Sequence, residues 1–239
     1  MNDNLSNIIN SSIATAFAEF ITLPICTIKT NYQNVYNMKD KVRIMNISKN
    51  IYNMYGIKGF YRASYPAISG QIFSTMSKYT LYRYFDNSQT YPIKNKFING
   101  MTAGIISSIV THPLDVIKVN MQMNKNLVIN FKNIYRGYSK TFLKISVSSS
   151  IFFPLYDTIK QKINNPLIAS STSALVATII MHPIDYLKTR HMSGMPLYNG
   201  YNPITYYRGL SINLLRIIPH FVITMQIIEL INKYKIEKY

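Results

Sequence analysis

Three short segments that begin with a proline hold the residues of this chain best suited to form reversible ion pairs. Residues three apart share one face of a helix, so Asp115 and Lys118 can point toward the same axis. The same holds for Asp185 and Lys188. Ion pairs between converging helices contribute about 1 kcal/mol each where water reaches them. The segments are Pro24-Ile-Cys-Thr-Ile-Lys29, Pro113-Leu-Asp-Val-Ile-Lys118 and Pro183-Ile-Asp-Tyr-Leu-Lys188.

A second motif, an aromatic residue followed by arginine and a small residue, comes after each proline segment. It reads Tyr61-Arg62-Ala63, Tyr135-Arg136-Gly137 and Tyr207-Arg208-Gly209. Two motifs that recur three times in the same order indicate a threefold repeat. We therefore expect one domain over residues 1–239, built from repeats at about 5–86, 92–160 and 165–235.

Six mostly uncharged stretches accompany these motifs and must position them. They cover roughly residues 7–23, 67–81, 97–110, 141–156, 167–181 and 211–231. Extended through the proline segments, the odd-numbered stretches approach the ~20 residues that a helix needs to cross a bilayer. Small residues near helical spacing, such as Ala14, Ala18, Gly100 and Gly104, permit close helix contact in lipid. The sequence predicts an all-α membrane protein with six transmembrane helices.

Composition is compatible with this prediction but does not require it. A hydrophobic fraction of 48% suits a transporter whose helices line a wet cavity, and it suits a soluble helical protein equally. The formal net charge of +17 favours anionic partners: nucleic acid, lipid head groups or anionic solutes. Loops after the odd helices carry more Lys and Arg than the opposite side, which assigns them to the positive-inside face. The single Cys26 excludes an internal disulfide framework.

The two motifs together resemble the signature of the mitochondrial carrier family. That signature is P-x-[DE]-x-x-[KR] closing each odd helix and an aromatic–basic–Gly start to each even helix, and the resemblance covers about residues 11–229. Short loops and an AT-rich coding bias are similar to those of a giant-virus-encoded member. The resemblance implies a six-helix bundle with pseudo-threefold symmetry, alternating access to one central site, a multi-pass monomer and a place in the mitochondrial inner membrane.

The resemblance also implies a matrix gate built from the proline segments. We expect Asp115 to pair with Lys188, and Asp185 to pair with Lys29. Cys26 replaces the first acid, so we expect Lys118 to have no acidic partner; ordinary helix-end ion pairs are the alternative. Bracing glutamines are expected four residues past two of the lysines, with Met192 in the third place. The expected gate residues are Lys29, Gln33, Asp115, Lys118, Gln122, Asp185 and Lys188.

A cytoplasmic gate follows from the resemblance at the ends of the even helices. The family's aromatic–acid–x–x–base motif is intact only as Tyr156-Asp157-Thr-Ile-Lys160. Charges are exchanged at Arg83 and Asp86, and Asn232 takes the basic place after Glu229. Arg83 would face Lys160 and Glu229 would face Asp86. These like-charge contacts predict a weak cytoplasmic gate and a resting state open toward the cytoplasm.

Charges inside the predicted spans are candidates for substrate binding, because charges are costly in a bilayer. They are Glu19, Lys78, Lys144 and Arg216. Lys144 and Arg216 are equivalent by repeat, with Gly70 in the corresponding place of the first repeat, and the resemblance puts the substrate contacts there. Two or three cations predict an anionic substrate. For Glu19, a structural ion pair and proton coupling both stay open, and Lys144 could instead reach the membrane interface.

Lys144-Ile145 half-matches the Gly–aliphatic pair of nucleotide carriers, so the resemblance favours a nucleotide or deoxynucleotide over phosphate or di- and tricarboxylates. It also implies cardiolipin at the aromatic–basic motifs, with interfacial anchoring as the alternative. The residues expected to bind that lipid are Arg62, Arg136, Gly137, Arg208 and Gly209.

Two other classes of function remain as alternatives. The four histidines are scattered along the chain and no Gly-rich phosphate loop is present, so we expect neither an enzyme, a metal site nor a cofactor other than bound lipid. A basic helical protein that binds nucleic acid would also fit the charge and the many tyrosines. Cations spread through the loops argue against it, so nucleic acid is not an expected partner. A helical scaffold would leave the paired charges after each proline unexplained.

Overall fold

The computed structural model describes residues 2–35, 43–87, 96–126, 129–163, 166–197 and 201–236. Every regular element in these ranges is helical. Six of these elements are long helices and the others are short. In chain order they are α1 (Asn2–Gln33), α2 (Ile44–Tyr55), the 3-10 helix η1 (Ile57–Gly59), α3 (Ser64–Asn87), α4 (Lys96–Gln122), α5 (Phe131–Ile134), α6 (Tyr138–Ile163), α7 (Pro166–Met192), the 3-10 helix η2 (Pro203–Tyr207) and α8 (Leu210–Ile236).

The six long helices form a ring. Helix α1 packs against α3, α3 against α4, α4 against α6, and α6 against α7. Helix α8 packs extensively on α1 and more sparsely on α7, which closes the ring. Because consecutive long helices are neighbours, each contributes one face to a shared interior.

The interior of this ring is polar and its outside is apolar. Buried polar side chains include Glu19, His112, Ser173, His182 and Asp185. Large apolar side chains such as Ile13, Phe17, Val110, Leu215 and Val222 are exposed on the long helices. A soluble protein buries such side chains, whereas lipid solvates them. This distribution disfavours the soluble nucleic-acid-binding alternative.

Three helical segments are long and apolar enough to cross a membrane: Ser6–Gln33, Phe97–Gln122 and Pro203–Ile231. Helices α3, α6 and α7 have membrane-spanning length and lie between these segments in the ring. The six-span topology stays a prediction for those three.

The three proline segments lie inside helices α1, α4 and α7, near their C-terminal ends. Each helix continues past its proline, at Pro24, Pro113 and Pro183. These three helices also touch one another across the ring. Their ends therefore converge at one end of the bundle, the proline end, and bring the charged residues of different segments together.

Two glycines allow the sharp entry into α6 and α8. Gly137 has φ of +83° and Gly209 has φ of +86°, a left-handed conformation that side chains disfavour. At the equivalent place before α3 the sequence has Ala63, whose φ is not positive. Ala63 stands where the family motif has Gly, and the backbone at Ala63 lacks the positive φ of Gly137 and Gly209.

We expect Gly209→Ala to lower the melting temperature more than Gly70→Ala. Gly209 has positive φ, so a side chain there costs about 1 kcal/mol in backbone strain, whereas Gly70 lies inside α3 with φ that is not positive. A Cβ at Gly209 would also lie 3.2 Å from Gln33 Cγ, whereas a Cβ at Gly70 would lie 3.4 Å from Leu114 Cβ, an ordinary van der Waals contact. Thermal unfolding in detergent measures the difference. Equal losses would show that neither the backbone of Gly209 nor its contact with Gln33 adds a cost.

Candidate functional site

The proline end holds a ring of ion pairs between helices that belong to different predicted repeats. Lys188 Nζ lies 3.0 Å from Asp115 Oδ2 and joins α7 to α4. Lys29 Nζ lies 2.5 Å from Asp185 Oδ2 and joins α1 to α7. Both are the pairs that the motif spacing predicts.

The expectation that Lys118 has no acidic partner is wrong. Its Nζ lies 2.6 Å from Oε1 of Glu19 and joins α4 to α1. Glu19 precedes Cys26 by seven residues, which is almost two helical turns, so it approaches Lys118 from the same side of α1 as Cys26. The ring therefore has three acids and three lysines, with the acid of the first segment displaced along its helix.

Two of these acids each hold a second cation. Glu19 Oε2 also accepts from Arg216 Nη2 at 2.5 Å, and Asp185 Oδ1 also accepts from Lys144 Nζ. Burial of a carboxylate is costly unless it is paired and hydrogen-bonded. Glu19 is only 1% exposed and Asp185 is 7% exposed, which explains two cations for each. The structure thus gives Glu19 the ion-pair role that the sequence left open.

A cavity of about 430 Å³ begins at this ring and extends along the bundle. Four lysines and one carboxylate line it, together with the hydroxyls of several Ser and Thr residues. The charged lining residues are Lys78, Lys118, Lys144, Lys188 and Asp115. Cationic walls around a cleft concentrate anions. The lining is therefore suited to an anionic ligand.

The predicted substrate residues divide into two groups around this cavity. Gly70, Lys78, Lys144 and Ile145 all line it. Among the residues that the structure describes, Glu19 and Arg216 lie outside its lining and contact each other beside it.

Gly70 and Ile145 both pack on α4. A Cβ at Gly70 would lie 3.4 Å from Leu114 Cβ, and Ile145 Cγ2 lies 3.2 Å from the Cβ position of Gly104. Gly70 and Gly104 therefore let the neighbouring helices approach α4 closely.

The predicted bracing residues connect helices at the proline end. Gln122 Oε1 accepts from Thr30 Oγ1 at 2.7 Å, and its Nε2 donates to Thr27 Oγ1 at 3.3 Å, so Gln122 ties α4 to α1. Gln33 Nε2 donates to the carbonyl of Arg208 at 3.5 Å. Met192 is buried in an apolar cluster on α4. Support of the lysines by the two glutamines stays a prediction.

All five predicted cytoplasmic gate residues are exposed at the opposite end of the long helices. Two of them contact tyrosines of their own helices: Arg83 lies over Tyr79, and Lys160 Nζ lies 5.6 Å from the ring centre of Tyr156. The five residues are Arg83, Asp86, Asp157, Lys160 and Glu229. The weakness of this gate stays a prediction.

The predicted lipid-binding residues lie just before the starts of α3, α6 and α8. Arg62 stacks on Tyr55 at 5.2 Å, and Arg208 stacks on Tyr32 of α1 at 4.5 Å. Arg136 Nη1 would lie 2.6 Å from a Cβ at Gly194, and Gly137 and Gly209 supply the turns described above. Binding of cardiolipin at these places stays a prediction.

Two histidines have a role that the sequence did not reveal. His112 Nε2 donates to the carbonyl of Arg136 at 3.1 Å, and His182 Nε2 donates to the carbonyl of Arg208 at 3.1 Å. Each ties its proline segment to the following aromatic–basic motif. The sequence does contain a signal for this role. His-Pro occurs only in the two repeats whose aromatic–basic motif ends in Arg-Gly. Within the described ranges no three His, Cys, Asp or Glu residues are grouped as a metal site would require.

Comparison with known proteins gives consistent matches. The family described as mitochondrial carrier protein matches residues 2–92 and 89–128. A mitochondrial carrier-like protein of Acanthamoeba polyphaga mimivirus is 52% identical over 233 residues, or 95% of this chain and 96% of that protein.

More distant relatives have named solutes. An electrogenic mitochondrial aspartate/glutamate antiporter of Mus musculus is 23% identical over 271 residues, and the match covers 93% of this chain and 40% of the longer antiporter. A mitochondrial thiamine pyrophosphate carrier of Kluyveromyces lactis is 23% identical over 282 residues, with 94% and 89% covered.

These matches confirm the resemblance to a giant-virus carrier and the all-helical carrier fold. The named relatives are transporters, and family members carry small molecules across membranes. Together with the polar interior and apolar exterior, this makes the protein an integral membrane transporter. The chain belongs to the mitochondrial carrier family.

Proposed function

We propose that this protein moves an anionic metabolite across a membrane by alternating access, as a counter-exchanger. The observation that carries the proposal is an excess of positive charge: three of the four lining lysines pair with carboxylates, but the described lining residues and their ion-pair partners together hold six cations against three carboxylates. Such a lining attracts a ligand with more than one negative charge and repels cations. The ion-pair ring at one end of the cavity acts as the gate on that side.

A nucleotide is the substrate that we favour. The cavity volume of about 430 Å³ falls within the range of pockets that hold metabolite-sized ligands. Its lysines can bind phosphate groups, and Ile145 offers an apolar surface to a base. Inorganic phosphate and di- or tricarboxylates are the second candidates. Thiamine pyrophosphate and aspartate/glutamate, named for two relatives, are likewise anionic.

A counter-exchange screen in proteoliposomes tests both levels of the proposal. Vesicles are loaded with ribo- or deoxynucleotides, phosphate, carboxylates or a neutral amino acid, and uptake of the same labelled solute is followed. Exchange of nucleotides alone supports the favoured substrate, and exchange of carboxylates or phosphate alone replaces it. Exchange of the neutral amino acid but of no anion would overturn the proposal.

We expect Lys78→Gln to raise the KM for the transported anion about tenfold, the effect of losing one charge-assisted hydrogen bond. Lys78 lines the cavity, whereas Lys132 is exposed on α5 and provides the matched control as Lys132→Gln. Initial rates of exchange at varied external substrate measure KM. An unchanged KM in Lys78→Gln would remove this residue from the binding site.

We further propose the mitochondrial inner membrane as the location, following the family, and a monomer as the working unit because one ring already encloses a path. An alkaline wash of host mitochondria should leave the protein in the membrane pellet. Recovery in the supernatant would contradict the membrane assignment and favour the nucleic-acid-binding alternative.

A further inference from the structure

The last residues of α1, α4 and α7 are joined by a set of hydrogen bonds that lies beyond the ion-pair ring. Asn31 Nδ2 donates to the carbonyl of Gln122 at 3.0 Å, from α1 to α4. Asn120 Nδ2 donates to the carbonyl of Met192 at 3.0 Å, from α4 to α7. Arg190 Nη1 donates to the carbonyl of Gln33 at 3.2 Å, from α7 back to α1. The bonds therefore form a closed cycle.

The donors and acceptors of this cycle are equivalent by repeat. Each donor stands two residues after the lysine of its proline segment: Asn31, Asn120 and Arg190 follow Lys29, Lys118 and Lys188. Each acceptor is the residue at which its helix ends: Gln33, Gln122 and Met192. Carbonyls at a helix end have no partner within the helix. The neighbouring helix supplies that partner three times.

The two asparagines also share a second contact. Asn31 Nδ2 donates to the carbonyl of Thr27 at 2.9 Å, and Asn120 Nδ2 donates to the carbonyl of Val116 at 2.8 Å. One amide hydrogen thus fixes the side chain on its own helix and the other reaches across. Such fixed donors lose little entropy when the cycle forms.

Arg190 closes the cycle with a charge. Its side chain is 1% exposed, and it also donates to the carbonyls of Val35 at 3.3 Å and Pro196 at 2.9 Å. The C-terminal end of a helix carries partial negative charge, so α1 stabilises the buried guanidinium. In the part of the chain that the structure describes, its hydrogen-bond acceptors are these backbone carbonyls.

We propose that Asn31, Asn120 and Arg190, with the three carbonyls that they bind, form a second layer of the gate at the proline end, the carbonyl ring. The three helix ends cannot separate without breaking all three links. The carbonyl ring therefore holds this end closed together with the ion pairs, and it positions the helix ends so that the ion pairs meet. Two of its links involve no ionised group, so they are less sensitive to salt than ion pairs.

The inference rests on alternating access, but its test needs no transported solute. Cys26, the only cysteine, is replaced by serine, and Ser74→Cys introduces a thiol in the cavity lining. A membrane-impermeant maleimide is applied to either side of vesicles of determined orientation. With the proline end closed, we expect labelling from the opposite side only.

We expect Asn120→Ala to increase labelling from the proline end about fivefold, and Asn31→Ala with Asn120→Ala to increase it about 25-fold, since each link contributes one hydrogen bond. Arg190→Lys, which keeps a donor, should increase it less than Arg190→Met. Asn53→Ala, at an exposed asparagine of α2, should have no effect.

Melting temperature and gel filtration establish which variants remain folded. Folded variants that lose thermal stability without any gain of labelling from the proline end would reduce the asparagines to helix caps and overturn the proposal. If the labelling result holds while no solute exchanges in the screen above, the gate stands and the substrate proposal alone fails.

Discussion

Glu19→Gln should reduce exchange more than a hundredfold. The Glu19 carboxylate compensates both Lys118, at 2.6 Å, and Arg216, at 2.5 Å. Removal of one partner from a buried ion pair costs about 3 kcal/mol or more, because the remaining charges stay buried. Both cations would then repel each other at the proline end, and the closed state would lose its ion pair between α1 and α4. Exchange rates in proteoliposomes and melting temperatures in detergent measure the effect.

Cys26→Asp should restore part of the activity of Glu19→Gln. Cys26 occupies the place that Asp115 and Asp185 hold in the other segments, so an acid there can reach Lys118. Arg216 pairs with Glu19 about two turns before Cys26 on α1, so its charge would remain uncompensated and the rescue incomplete. Cys26→Ser in the same background is the uncharged control. Equal rescue by serine and aspartate, or full activity of Glu19→Gln alone, would contradict the role of Glu19 as the displaced acid.

The displaced acid shows where reasoning from the motif reaches its limit. The positions of Asp115, Asp185 and their lysines repeat in the sequence, so the spacing together with the family resemblance predicts the two ion pairs between them. Glu19 lies outside the repeated pattern, and only the three-dimensional course of α1 brings it to Lys118. The spacing of seven residues from Cys26 was an available signal, because that spacing keeps two side chains on one side of a helix.

The same distinction applies to the cavity and the carbonyl ring. The charges at Lys78 and Lys144 identified cavity residues, because a charge in an apolar stretch needs a polar surrounding. The pairing of Lys144 with Asp185 depends on how α6 packs on α7, which no local pattern encodes. The links made by Asn31 and Asn120 cannot be predicted from the sequence, because their acceptors are backbone carbonyls that only the ends of the neighbouring helices define.

Swapping the acid and the lysine of an ion pair should preserve transport at one pair of the ring and abolish it at another. Asp115→Lys combined with Lys188→Asp should recover most of the activity that either substitution alone removes. Asp115 has Lys188 as its 3.0 Å partner, and its side chain is 42% exposed, so reversal of this accessible pair keeps its attraction. Each single variant would place like charges together, and exchange would fall about fivefold or more.

Asp185→Lys combined with Lys29→Asp should remain inactive. Asp185 binds Lys144 as well as Lys29, so a lysine at this place would recover one partner and repel the other inside a buried site. A third change, Lys144→Gln, removes that repulsion and should raise exchange above that of the double variant by about tenfold. Exchange rates of the four single, two double and one triple variants test both charge swaps and the role of Lys144. Recovery by the Asp185 and Lys29 double variant alone would show that Lys144 does not share the carboxylate during transport. The two pairs also differ in exposure, so it is the gain of exchange on adding Lys144→Gln that isolates the second cation as the cause.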